Sequence, residues 1–157
     1  MKITKSLPRT EAETIAILGR ELPRLLEGFS VRRIRREVYL GPGRRRRADL
    51  VVAVRAGGRE KNLVLEAKCP GEPRVAEQVI PKLQLLARLV RNAYPVLAAP
   101  YLTESARRLC RSAGVGYLDL VGNAYLEFPG VYYNRATAAG GGQERRAARS
   151  LAKPKAS

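Results

Sequence analysis

A chain of 157 residues has room for one hydrophobic core but not two, and 45% apolar with 28% charged residues is a globular rather than a disordered composition. It contains no histidine, which excludes Ser-His-Asp and Cys-His nucleophilic sites, imidazole-ligated zinc and hydrolysis with His as general base. Thirty Lys+Arg against 14 Asp+Glu give a formal charge of +16, a self-repulsion that a polyanion such as nucleic acid would relieve.

From Thr10 to Glu27, Ile15, Leu18, Leu22, Leu25 and Leu26 recur at three- and four-residue steps and predict an amphipathic helix, with Pro23 a candidate kink and Gly28 the stop. Val31 to Leu40 interleaves Val31, Ile34, Val38 and Tyr39 with four arginines, the pattern of an exposed edge strand, and Gly41-Pro42-Gly43 turns the chain. Ala48 to Val54 is an apolar, β-branched run. Ala56-Gly57-Gly58-Arg59 then makes a hairpin turn into Asn62–Lys68, which Pro70-Gly71 ends. A second helix is predicted over Val75–Asn92, with Val79, Leu83, Leu86 and Val90 on one face, followed by a strand over Tyr94–Tyr101. Ser105 to Ala113 reads as a third helix between Thr103 as N-cap and Gly114 as C-cap. Val115–Val121 and Ala124–Phe128 are strands about the Gly122-Asn123 turn, and Val131–Arg135 ends the fold.

Residues 136–157 hold a Gly triplet, five basic residues and almost no large apolar side chain, which predicts a basic, disordered tail. The single domain is then residues 1–135, which keep 25 basic against 13 acidic residues. The order α-β-β-β-α-β and then α-β-β predicts an α/β (α+β) fold, a mixed central sheet flanked by helices. Lys2 and Lys5 precede no apolar stretch, no apolar run approaches the roughly 18 residues of a membrane span, and Cys69 and Cys110 lack metal-ligand spacing. A cytoplasmic protein without membrane contact is expected. No Gly-Lys-Ser/Thr follows any glycine loop, so no nucleotide cofactor is expected either.

Two carboxylates stand where apolar strands disfavour them. Val64, Glu66 and Lys68 share one side of their strand, and Asp49 shares a side with Val51 and Ala53 in the strand before. Two such carboxylates supply hard oxygen ligands for Mg²⁺ or Mn²⁺, which polarises a phosphate and acidifies bound water, while the ammonium orients that water. A Glu-x-Lys tripeptide alone is expected by chance in about one such chain in two. Its weight comes from closing an apolar strand one hairpin after Asp49, one of only two Asp in the chain. Arg32, Arg33, Arg35 and Arg36, with Arg44, Arg45, Arg46 and Arg47, put eight arginines in 16 positions flanking the Asp49 strand, candidates for phosphate contact. Asp119, in an apolar strand before Asn123, is expected to be a structural hydrogen-bonding residue.

Ala48-Asp49 followed by Leu63-Val64-Leu65-Glu66-Ala67-Lys68, in this order of elements, resembles the PD-(D/E)xK nuclease superfamily with its restriction-endonuclease-like fold. The stretch from Ser105 to Leu120 is similar to the helix and strand that follow the core in Mrr-type restriction enzymes, and the core is shared with Holliday-junction resolvases. The resemblance covers about residues 10–135, with Ala48 where the motif has Pro. It implies that Asp49, Glu66 and the Ala67 carbonyl bind the metal and that Lys68 serves the nucleophilic water. Many members add a Gln from the second helix, for which Gln78 is the best match and Gln84 the alternative. They also add a Glu from the first helix, for which Glu13 and Glu21 stand ahead of Glu11 and Glu27. The expectation is a metal-dependent DNA endonuclease, RNA remaining open as substrate, working as a homodimer because one site faces one strand. The alternatives are a non-catalytic nucleic-acid-binding protein on the same scaffold and, less in keeping with embedded carboxylates, a small RNA-associated basic protein.

Overall fold

Thr10 opens the first helix in an extended conformation, its hydroxyl accepting the Glu13 N–H at 3.1 Å, while the Glu13 carboxylate accepts the Arg9 N–H at 3.1 Å. The pair works as a capping box does, satisfying donors that the helix start leaves open. The structure, a computed structural model, describes residues 6–137, so residues 138–157 of the predicted tail lie outside it. Its elements are α1 (Glu11–Leu25), β1 (Ser30–Leu40), β2 (Arg46–Ala56), β3 (Arg59–Ala67), α2 (Pro73–Arg88), β4 (Ala93–Ala99), α3 (Glu104–Ser112), β5 (Gly116–Asp119), β6 (Ala124–Phe128) and β7 (Val131–Arg135).

The seven strands lie in one sheet in sequence order. β1, β2 and β3 are antiparallel, β3–β4 and β4–β5 are parallel, and β5, β6 and β7 are antiparallel again. Only the parallel steps need a crossover, and α2 and α3 supply them. Two right-handed crossovers running the same way across a sheet put both helices on one face. Val79, Leu83 and Leu86 of α2 and Ala106 and Cys110 of α3 accordingly pack on Val51, Val64, Leu97 and Tyr117. The other face carries α1, whose Leu18, Leu22 and Leu25 pack on Leu50, Val52, Leu63 and Leu65. The central strands are thus covered on both sides, which is why they read as apolar runs instead of alternating. This is the mixed central sheet flanked by helices that the sequence implies.

Several element boundaries differ from the sequence reading by a few residues, and at the ends of α2 and β5 the reason is local. α1 runs through Pro23, which removes the N–H that would bond the Gly19 carbonyl, and the helix ends two residues later. α2 stops at Arg88, short of Asn92, because the Asn92 carbonyl accepts the Asn62 N–H at 2.9 Å and turns the chain into β4. β5 stops at Asp119 because the Asp119 side chain captures the amides of residues 121–123. Its Oδ1 accepts the N–H groups of Val121, Gly122 and Asn123 at 3.1, 2.9 and 2.8 Å. Its Oδ2 accepts the Leu102 N–H at 3.0 Å and the Asn123 side-chain amide at 2.7 Å. Val131–Arg135 is a full strand, pairing with β6. Both cysteines are thiols, and among the described residues no helix is long and apolar enough to cross a membrane.

Asp119 therefore ties the β5–β6 turn to the segment entering α3. An Asn there would put an amide N–H₂ against N–H donors. Asp119→Asn is expected to lower the unfolding free energy by about 2–4 kcal/mol in urea denaturation. A change under about 0.5 kcal/mol would show that the five bonds do not hold this corner.

Candidate active site

The β2–β3 ladder runs in register from Ala56↔Arg59 to Leu50↔Leu65, and the next facing pair is Asp49 and Glu66. Here side chains close the pairing. The Asp49 N–H donates to Glu66 Oε2 at 3.1 Å, and the Ala67 N–H donates to Asp49 Oδ2 at 2.8 Å. Residues directly opposite in an antiparallel pair share a face. For these two it is the α2 face, where Val51 and Val64 are packed. Asp49 is 3% and Glu66 2% exposed.

Facing like charges repel, and each carboxylate has its own cation. Arg47 Nη2 is 3.2 Å from Asp49 Oδ1, and Lys82 Nζ is 3.1 Å from Glu66 Oε1. Burial first, and the facing Asp49 charge second, push the Glu66 carboxyl above the ordinary carboxylate range, against the pull of Lys82 and of the Asp49 N–H.

Lys68 follows the end of β3, its N–H donating to the Ala98 carbonyl at 2.8 Å, and its side chain enters a cleft of about 240 Å³. Glu11, Gln78 and Lys82 line the same cleft. Gln78 and Lys82 are four residues apart on α2 and so lie one above the other on one helix face. The start of α2 is held by Gly71, where a Cβ would run into the Tyr101 carbonyl oxygen. Only glycine permits that approach.

The structure thus places Lys68 and Gln78 in one cleft, which Asp49 and Glu66 adjoin through the Glu66–Lys82 pair. It sets Gln84 aside, whose side chain donates to the Ala113 carbonyl at 3.1 Å and ties α2 to the end of α3. Of the first-helix glutamates, neither Glu13 nor Glu21 lines this cleft. Glu13 belongs to the α1 cap, and Glu21 pairs with Arg24 at 2.6 Å. Glu11 is the one at the site, its Oε2 3.8 Å from Lys68 Nζ. Lys82 went unnoticed in the sequence, although its i+4 spacing from Gln78 was there to find.

The arginines do not form one patch. All eight are exposed. Arg47 is at the carboxylates, and Arg44, Arg45 and Arg46 lead into it from the turn after β1. Arg36 lies on the opposite face, its guanidinium 3.0 Å from where a Cβ on Gly19 of α1 would stand. Arg33 lines a separate cavity of about 370 Å³ with Arg32, Lys61 and Asn92.

Ionised carboxylates offer about four acceptor positions each, and only two are taken on either residue by the bonds described, so both could also ligate a hard cation. Among the described residues no three His, Cys, Asp or Glu side chains are grouped to hold an ion. Two carboxylates with backbone and water oxygens suit Mg²⁺, which keeps several waters.

No family model and no curated protein matches the chain. Among solved structures, it is similar to a repair endonuclease from Pyrococcus abyssi, with 28% identity and a TM-score of 0.49 over 74% of this chain and 49% of that one. It is also similar to EndoMS in apo form, with 21% identity and a TM-score of 0.46 over 74% of this chain and 48% of that one. The EndoMS–dsDNA complex matches with 24% identity and a TM-score of 0.48, over 76% of this chain and 48% of that one. The chain spans about half the length of these structures.

The raised Glu66 carboxyl has a pH signature. Below the ordinary glutamate pKa of about 4.3 the group is protonated in both folded and unfolded chains and its charge costs nothing. As pH rises the unfolded chain ionises first, so the penalty grows and is complete above the folded pKa. Glu66→Gln is therefore expected to raise the melting temperature at pH 7–8 relative to the parent, with the gap closing near pH 4. A gap that widens on acidification would reverse the sign.

Proposed function

We propose that the chain is a divalent-metal-dependent nuclease that hydrolyses phosphodiester bonds of DNA. Asp49, Glu66 and the Ala67 carbonyl would hold Mg²⁺ or Mn²⁺. The observation that carries this reading is the facing pair of buried carboxylates, Asp49 and Glu66, with Lys68 in the cleft beside them. Burying two like charges side by side is unfavourable in a purely structural role, because an apolar pair would fill the space without desolvation cost. It is favourable once a dication is shared between them.

When bound, the ion would polarise a phosphate oxygen and acidify a water. The remaining work falls to the chain. Lys68, 28% exposed, keeps its ammonium in contact with solvent inside the cleft, where it orients the attacking water and offsets charge developing on the phosphate. Glu11 acts through Lys68, holding that ammonium from the side of α1. Gln78 presents an amide donor and acceptor in the same cleft, able to bond a water or a phosphate oxygen. The carboxylates and Lys68 stand in for the histidine base that the sequence lacks. Arg44, Arg45 and Arg46 enter beside the site and would grip the backbone of the strand being cut. A symmetric pair of chains is the assembly we propose for cutting both strands, and the order in which nicked and linear plasmid appear reports it.

Plasmid, linear duplex and four-way-junction DNA, with an RNA duplex alongside, test the reading in Mg²⁺, Mn²⁺ or EDTA. Cleavage is expected only with metal, and Asp49→Asn or Lys68→Ala should reduce it by about 100-fold or more while duplex binding persists. Binding without cleavage on every substrate, identical in the variants, would make the chain a binding protein with structural carboxylates. Gln78→Ala is expected to slow cleavage by about tenfold and Gln84→Ala to leave it within about twofold, since only Gln78 faces the cleft. The reverse order would return the role to Gln84.

A further inference from the structure

We infer that Lys82 holds the electrostatic place of the metal in the metal-free protein and is released from Glu66 toward the phosphate backbone when a divalent ion binds, so that metal binding tightens DNA binding. The inference rests on the nuclease reading above and concerns how that site couples its two ligands.

The charges at the site set the argument. Asp49 and Glu66 face each other with two negative charges, and Arg47 and Lys82 bring two positive ones. Lys68 is already countered by Glu11. The metal-free cluster is therefore balanced, and a dication added to it leaves two positive charges in excess. That excess can be relieved by a cation leaving the carboxylates and by a polyanion arriving, and one lysine can do both.

Geometry singles out Lys82. Arg47 is on β2 itself, two residues before Asp49, so its reach is set by the strand. Lys82 comes from α2, and its side chain is 48% exposed although its Nζ sits 3.1 Å from a carboxylate that is 2% exposed. Arg47 is exposed to the same degree, 47%, so exposure does not separate the two cations; what does is that Lys82 lines the cleft with Lys68 and Gln78, and Arg47 does not. With Glu66 buried, withdrawal of the lysine head alone would leave an unpaired buried charge, so the release requires that the dication take its place. Released, the ammonium stays in the cleft that Gln78 and Lys68 also line, where a bound phosphate would lie. If the ion favours the released arrangement and the released lysine favours DNA, each ligand must raise the affinity for the other by the same factor.

A fixed neutralising role for Lys82 predicts the opposite sign, since losing it would leave Glu66 poorly compensated and the site disordered. Lys82→Met keeps the stem and removes the charge. Lys82→Gln does so with a polar tip, should an apolar one perturb folding. Calorimetric titration with Mn²⁺ in the absence of DNA is expected to show metal binding about three- to fivefold tighter in both variants than in the parent. Fluorescence anisotropy of a short duplex in EDTA and in Ca²⁺ is expected to show a metal-dependent gain in affinity in the parent that is mostly lost in both. Lys82→Arg should retain that gain. Weaker or unchanged Mn²⁺ binding, with the gain intact, would overturn the inference and leave the nuclease reading standing. A parent chain that binds no divalent metal would overturn both.

Discussion

The site depends on one step of the β2–β3 ladder at which side chains take over from the main chain. Asp49 and Glu66 face each other there, and each carboxylate accepts an amide from the other strand's end of the pairing. These bonds fix both groups at the place where the strands would otherwise separate. They also force two charges together in a buried position, and the surroundings follow from that constraint. Arg47 and Lys82 are needed to balance it, Glu66 is pushed toward its neutral form, and the oxygens retain acceptor capacity that a hard cation would use.

The fold supplies what this pair cannot supply locally. Because the strands follow the chain order across the sheet and only the middle steps are parallel, both crossover helices are on the face that bears the carboxylates. That places Gln78 and Lys82 of α2 over the strand ends, while Glu11 comes from the first turn of the helix on the other face and reaches Lys68 at the rim. Three elements thus meet at one cleft. Two strands away from β3, at the same end of the sheet, Asp119 uses a carboxylate in the other way open to a buried one, as an acceptor of five N–H groups. The contrast between the two Asp residues of the chain is one of partners. Asp119 is surrounded by donors, whereas Asp49 confronts another acid.

Much of this was legible beforehand, and the reasons differ by residue. Asp49, Glu66 and Lys68 could be read because strand alternation is a rigid two-residue rule and because their apolar neighbours made the charges conspicuous. Glu11 and Lys82 could not be singled out in the same way. On helices exposed to solvent a charged residue is ordinary, and which one reaches a strand end depends on how the helix is docked, which spacing alone does not encode. Gln84 stayed open as the alternative to Gln78 for that reason, and the docking of α2 turns it to α3. The arginines were legible as a charge but not as a surface, since a strand sends neighbouring side chains to opposite faces and Arg36 goes over α1. The boundaries that shifted did so where a side chain intervened in the backbone pairing, as Asp119 does after β5.

Strand order equal to chain order also bears on how the molecule is made. Each strand from β2 onward finds its neighbour already formed on the side from which the chain came, so the sheet can grow by addition at one edge, without a later strand inserting between earlier ones. Glu11, Asp49, Glu66, Lys68, Gln78 and Lys82 are all present once α2 has been synthesised, whereas β4 to β7 arrive afterwards. Every side chain that lines the cleft thus comes from the part of the chain before β4, and a substitution in β4 to β7 reaches the cleft only through the packing that supports the sheet.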